Sequence, residues 1–288
     1  MKTYIYKAVA GVCSLMLLMS SCESFLSEEP KDFLSPENLP NTEAECNMLL
    51  MGSLSYWSSN NFERHINFIA EATTDAVVSA TANNVARDEM NSLTWQSDNE
   101  SLYKPWQQFY ACINASNIMI EKVPNASKVS DEVKTRYVAA ARYMRAMSYF
   151  YLVRIFNDVI YLDTPVNDFT SANNMTKTPA KEIYNPNEKR AFGNALKNIS
   201  CEANLPVKWD SGTERPTVAA AKSLLSWVYI TMAGEQVKDN TMWAKAASKA
   251  KEVIDNAATY GIKLEENYAD LWLVNNRYNK ESIFALNF

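Results

Sequence analysis

The sequence predicts an all-α protein of paired helices joined by long loops. Three observations carry this. Glycine is scarce, at 6 of 288 residues, where an average chain has about 7%. A turn-rich β protein needs more glycine, and so does a glycine-rich phosphate loop. Residues 101–123 and 130–156 place apolar side chains at helical spacing. Residues 217–232 and 242–258 repeat that spacing across a short turn, as two neighbouring helices would.

In chain order, the first feature is a leader. Lys2 and Lys7 are the only charges before an uncharged run from Ala8 to Met19, and Ser20, Ser21 and Cys22 follow. A basic start, a short apolar core and small residues form the grammar of a secretory signal. The run is shorter than the ~20 residues that span a bilayer. Leu17-Leu18-Met19-Ser20-Ser21-Cys22 resembles a bacterial lipobox. That resemblance implies a diacylglycerol on the Cys22 sulfur, cleavage before Cys22, and acylation of the new amino terminus. Each buried CH2 adds ~0.8 kcal/mol, so several chains anchor firmly. The bland alternative is an ordinary signal with an incidental cysteine. We read residues 1–21 as a lipoprotein signal peptide, 22–34 as a lipidated tether, and 35–288 as one helical domain. Ser27-Glu28-Glu29 fits either a surface-routing signal or a solvated linker.

Thr42-x-x-Glu45 fits a capping box opening a helix to about Ser55. A second helix is expected over residues 61–78, and a polar loop over 79–100. In 101–123, Trp106, Phe109, Tyr110, Ile113 and Ile120 share a stripe with the polar Asn117. Pro105 suits a first turn, and Pro124 lies past the end. The later part of 130–156 is apolar on most faces, which predicts a central helix. Residues 158–162 read as extended, 163–178 as a second long loop, and 187–203 as a helix. Ala221, Leu224, Leu225, Val228 and Met232 form one stripe of the next helix. Ala246, Ala247 and Ala250 would let its partner approach closely. Such pairing resembles tetratricopeptide-like stacking, and any helical bundle fits the same pattern. The alternating end, Glu281 to Phe288, reads as the start of a half-buried strand, and the sequence as truncated at its carboxyl end.

Without residues 1–21 the chain has 26 basic and 33 acidic residues, a net charge of −7. That argues against nucleic acid or anionic lipid as a basic-patch partner. Cys46, Cys112 and Cys201 are widely separated and lack any C-x-x-C signature. Cys46 and Cys112 fall on apolar helical patterns and read as buried free thiols. With His65 the sole histidine, a zinc site or a histidine-based triad has little to draw on. We expect no metal and no cofactor.

Four blocks, in order, resemble one family. They are Cys22-Glu23-Ser24-Phe25-Leu26 with Glu28-Glu29-Pro30; Trp106-x-x-x-Tyr110-x-x-Ile113-x-x-x-Asn117; the block from Ala141-Arg142-Tyr143-Met144-Arg145 to Phe156-Asn157-Asp158-Val159; and Arg215-Pro216-Thr217 followed by Ala220-Ala221-Lys222-Ser223-Leu224-Leu225. Together they resemble the SusD/RagB outer-membrane lipoproteins of Bacteroidetes. The resemblance implies an all-α, tetratricopeptide-like fold and no catalysis. It implies a surface lipoprotein that forms a lid on a TonB-dependent SusC-like transporter and hands on oligosaccharides, or sometimes peptides. Family members are usually much longer, with part of the ligand surface in their carboxyl half. Asn157-Asp158-Val159-Ile160 departs from the family's Gly-Asp-Val-Pro, and Arg190-Ala191-Phe192-Gly193 lacks its Asp-Leu pair.

Sugar capture uses aromatic faces against the apolar faces of sugar rings, with amides and charges reading hydroxyls. Trp95, beside Gln96, Asp98 and Asn99 in the first long loop, has that chemistry. Trp95 and Asn99 are the candidate ligand residues; packing beneath the loop is the alternative for Trp95. Tyr56 and Trp57 are weaker candidates. Asn117 reads as a buried amide serving backbone groups. Arg142, Arg145 and Arg154 could form an anion site, but pairing with carboxylates is the plainer expectation. Glu71 and Asp75, four apart, could serve a glycosidase as acid and base; a solvated helix face explains the same spacing. His65 reads as a structural or surface residue. The leading reading is a glycan-capture lipoprotein. The rivals are a surface-anchored all-helical glycan hydrolase and a protein-binding helical scaffold.

Overall fold

A computed structural model describes residues 40–78, 84–167, 175–184, 200–209 and 215–286. These residues fold as helices, with a single isolated antiparallel bridge between Val159 and Thr178. Cys22, the 22–34 tether and most of the 187–203 helix expectation lie outside them.

Helix α1 (Glu43–Ser55) begins at the expected capping box. The Glu45 amide donates to Thr42 Oγ1 at 3.3 Å, and the Thr42 amide to Glu45 Oε2 at 2.9 Å. Two otherwise unpaired groups are satisfied reciprocally. Helix α2 (Asn60–Asn67) runs into a π-helical turn (Phe68–Ala72) and stops there, short of the expected Val78. Helix α3 (Val85–Ser92) is a correction, because the sequence reads as a loop. It is about two turns long and mostly polar, with only Met90 buried, so it carries almost no apolar period to read.

Helices α4 (Glu100–Lys122) and α5 (Asp131–Phe156) form the centre. Their contacts run in opposite order: Trp106 on Phe156, Phe109 on Tyr151, and Asn117 on Arg145. The pair is therefore antiparallel. Pro105 falls in the second turn of α4 rather than the first, because the helix begins at Glu100. From Met144 to Phe150 every residue of α5 is buried, as a central helix requires. Helix α1 lays Cys46, Leu50 and Leu54 against this pair, four apart and so on one face. Trp57 then closes the cluster, with ring centroids 4.8 Å from Phe62, 5.3 Å from Phe109 and 5.1 Å from Tyr151. Its Nε1 donates to Ser148 Oγ at 3.1 Å. Cys46 and Cys112 are free and buried, and burial pushes both thiols up to about 11.

After α5 the chain turns at Asn157, with φ at 62°. That region favours glycine and admits asparagine more readily than most residues. Asn157 thus stands where the resemblance expects glycine. A short helix, α6 (Ala180–Ile183), follows the bridge. Helices α7 (Val218–Ala233) and α8 (Met242–Asp255) pair antiparallel, since Lys222 meets Glu252 and Ser226 meets Ala246. All five stripe residues of α7 are buried. Ala246 is buried against α7, whereas Ala247 faces solvent. Lys249 bridges Glu202 at 2.8 Å and Glu252 at 3.2 Å, which ties the 3-10 turn Ser200–Asn204 to this pair.

A short α9 (Ala257–Tyr260) ends at Gly261, whose φ is 70°. The expected strand near the end does not form among the described residues. Ile283, Phe284 and Leu286 pack instead as half-buried side chains against the core, with Phe284 5.5 Å from Tyr143. Alternation alone does not supply a ladder partner.

Candidate glycan-contact surface

The loop carrying Trp95 is braced at both ends. Helix α3 closes with Leu93 in the left-handed region, φ 57° and ψ 34°. The Thr94 amide donates to the Glu89 carbonyl at 2.9 Å. Leu93 is exposed, so nothing but this turn geometry holds it there. At the other end, Asn99 caps α4: its Oδ1 accepts from the Ser101 amide at 2.9 Å. Its Nδ2 donates to the Ala86 carbonyl at 2.9 Å and to Glu89 Oε2 at 2.7 Å. Asn91 fastens the other side of α3, donating to the carbonyls of Ala72 at 3.0 Å and Val77 at 3.1 Å. Arg87 lies over the Phe68 ring at 4.5 Å.

Trp95 is 38% exposed on this frame. Thr94, Gln96, Ser97 and Asp98 beside it are exposed, and so is Tyr103 on the first turns of α4. The Trp95 loop therefore offers an aromatic face with hydroxyl, amide and carboxylate groups beside it, which suits sugar recognition. Asn99 differs from the expectation. It is 4% exposed, and both its oxygen and its amide nitrogen are spent on the frame. Its part in this surface is to hold the loop that presents Trp95. Tyr103 is an exposed aromatic that its place near the start of a helical segment does not single out in the sequence.

His65 lies beneath the start of α4. Its Nδ1 is 3.3 Å from Ser101 Oγ, and its Nε2 3.8 Å from Glu100 Oε1. Burial lowers its pKa below the ordinary histidine value, more than the Glu100 carboxylate raises it. It is a buried structural group. Glu71 sits in the π-helical turn and Asp75 beyond it, both exposed. They do not share a helix. Trp57 is core, and Tyr56 is half-buried against it.

Asn117 and Arg145 form a second polar centre. Asn117 donates to the carbonyls of Leu162 at 3.2 Å and Thr164 at 3.0 Å, as a buried amide serving backbone should. Arg145 is 5% exposed and donates to Asn117 Oδ1 and the Asp163 carbonyl, not to a carboxylate side chain. Tyr110, Asn114 and Tyr149 bond the same stretch at Ile160, Val166 and Leu162. Side chains of α4 and α5 thus take the place of a neighbouring strand for residues 160–166. Arg154 lies over Phe150 at 5.1 Å.

An apolar cavity of about 450 Å³ lies between α5, α7 and α8, lined by Tyr143, Met147, Leu224, Trp227, Val253 and Phe284. It lacks convergent polar groups. Among the described residues no cluster of histidine, cysteine and carboxylate side chains could hold a metal, and no helix is long and apolar enough to cross a membrane.

The family model described as SusD-like, "starch-binding associating with outer membrane", matches residues 24–230. The chain belongs to the SusD-like family. SusD-like protein P2 of Formosa agariphila is 29% identical over 283 residues, covering 95% of this chain and 51% of that protein. A solved "laminarin binding SusD-like protein" shares the fold, with a TM-score of 0.71 at 24% identity over 85% of this chain and 51% of that one. A structure solved with a xylogluco-oligosaccharide has a TM-score of 0.65 at 23% identity, covering 83% and 45%. This SusD-like chain spans about half the length of the first of these relatives. The family and all-α fold implied by the four sequence blocks are thereby established.

Proposed function

We propose that this SusD-like chain captures oligosaccharide at the cell surface, and that the loop bearing Trp95 supplies a stacking contact. The observation that carries this is the half-exposed Trp95 ring, set among hydroxyl, amide and carboxylate groups on a frame fixed by Asn99 and Asn91. The laminarin-binding and xylogluco-oligosaccharide relatives support a glycan as ligand. The family description supports attachment at the outer membrane. In this reading a lipid on Cys22 tethers the chain, a TonB-dependent SusC-like transporter is its partner, and the chain does no catalysis.

The test is titration calorimetry of the full chain with laminari-, malto- and xylogluco-oligosaccharides. Trp95→Ala should weaken binding at least tenfold, about 1.4 kcal/mol, with the melting temperature unchanged. Equal affinity of wild type and Trp95→Ala removes Trp95 from the site. Absence of binding to every glycan sinks glycan capture. Release of reducing ends from any of them, lost in Glu71→Gln, favours the hydrolase reading. Co-purification with a barrel transporter checks the partner.

A further inference from the structure

Ser101, in the first turn of α4, joins the frame of the Trp95 loop to a histidine. Its amide donates to Asn99 Oδ1 at 2.9 Å, and its hydroxyl lies 3.3 Å from Nδ1 of His65 on α2. His65 is the sole histidine of the chain, and both it and Ser101 are buried. We propose that His65 is a positioning residue for the Trp95 contact: its neutral ring holds the first turn of α4 in the glycan-binding arrangement, and its protonation releases that hold.

The inference rests on the glycan reading and adds a control of it by pH. The geometry makes the charge state of the ring matter here. A neutral imidazole can accept from the Ser101 hydroxyl through Nδ1, whereas a protonated one has only donors. The carboxylate facing the ring is shared. Glu100 Oε1 stands 3.8 Å from His65 Nε2, is exposed, and lies 3.9 Å from Lys104 Nζ as well. Lys104 of α4, Arg87 of α3 and Arg64 of α2 all oppose a charge on the ring. Arg87 lies over Phe68, whose ring is 6.5 Å from that of His65. Glu63 of α2, Glu71 of the π-helical turn and Asp88 of α3 are exposed, and Glu89 of α3 accepts from Asn99. Burial is the largest cause that lowers the His65 pKa. A buried imidazolium whose carboxylate partner is exposed and shared is costly, so acid drives the ring away from Ser101. Ser101 in turn holds Asn99, which bonds Ala86 and Glu89 and closes the loop that presents Trp95.

The experiment is calorimetry of the full chain with the tightest of the neutral laminari-, malto- and xylogluco-oligosaccharides, from about pH 7.5 down to about pH 5. A neutral glycan carries no titrating group in this range, and ordinary carboxylates titrate near about pH 4. Affinity should fall at least about threefold while the far-ultraviolet circular dichroism stays constant. His65→Gln should abolish the fall. The single imidazole also gives a readout by nuclear magnetic resonance that needs no variant. By linkage its titration midpoint should move down when glycan saturates the chain, a shift that a merely structural histidine does not show. Constant wild-type affinity, a fall that persists in His65→Gln, or equal midpoints with and without glycan each overturn the inference and leave glycan capture standing. Absence of binding to every one of these glycans overturns the glycan reading and this inference with it.

Discussion

Arg145 donates to Asn117 Oδ1 at 2.7 Å across the α4–α5 interface, and both residues are buried, at 5% and 1% exposure. The amide is a relay. Its oxygen meets the guanidinium while its nitrogen holds the carbonyls of Leu162 and Thr164. Asn117→Leu keeps the branched shape but removes one acceptor from the buried Arg145 and the side-chain donor from the Thr164 carbonyl, while Leu162 keeps the Tyr149 hydroxyl. We expect a loss of roughly 3 kcal/mol, seen as a lower urea midpoint with an unchanged slope.

Ala246 and Ala247 separate packing from composition. Ser226 Oγ donates to the Ala246 carbonyl at 2.9 Å, so α7 and α8 touch at that point. Ala246→Leu should cost about 1–3 kcal/mol by overpacking. Ala247→Leu, on the solvent face, should change the melting temperature little.

His65 predicts a pH dependence. Its folded pKa is lowered by burial, with Glu100 opposing and Lys104, Arg64 and Arg87 adding to the lowering. The unfolded chain therefore binds the proton more readily. Stability is fully present above the ordinary histidine pKa of about 6.5 and is lost as pH falls through the lower folded value. His65→Gln should flatten the stability profile between about pH 7 and pH 5. The lowered carboxylate pKa of Glu252, caused first by its hydrogen bond to Lys222, acts at lower pH and should persist in that variant.

Leu93 pays a backbone penalty at φ 57° with no buried contact in return. Leu93→Gly should stabilise the chain by up to about 1 kcal/mol. A thermal melt checks it, and glycan affinity should hold, because the Asn99 and Asn91 braces remain.

Much of the fold was legible where one local rule dominates. The Thr42–Glu45 capping box and the stripe of α7 each announce themselves within a few residues. Helix α3 was hidden because a short polar helix has no apolar period, and its stability comes from Asn91 and Asn99, outside or at the edge of its own pattern. The terminal strand expectation failed for the complementary reason: alternation at 281–286 was present, but a strand also needs a partner edge.

The candidate site was half legible. Trp95 could be picked out by residue type and polar neighbours, yet sequence could not say that its ring is exposed. Asn99 was chosen for the same chemistry, and its amide proved to be spent on Ser101, Ala86 and Glu89. An Asn side chain serves a cap or a ligand equally well until its surroundings are fixed.

The sequence by itself determined the all-α class, the central place of α5 and the family, because each rests on local pattern or ordered local blocks. Tertiary structure alone decided how the polar side chains are used. Arg145 gives its charge to an amide and a carbonyl inside the core, and Asn99 gives both ends of its amide to the frame around α3 and α4, while the Trp95 ring stays partly exposed. Burial and hydrogen-bond partners come from residues distant in the chain, so no local rule could assign them.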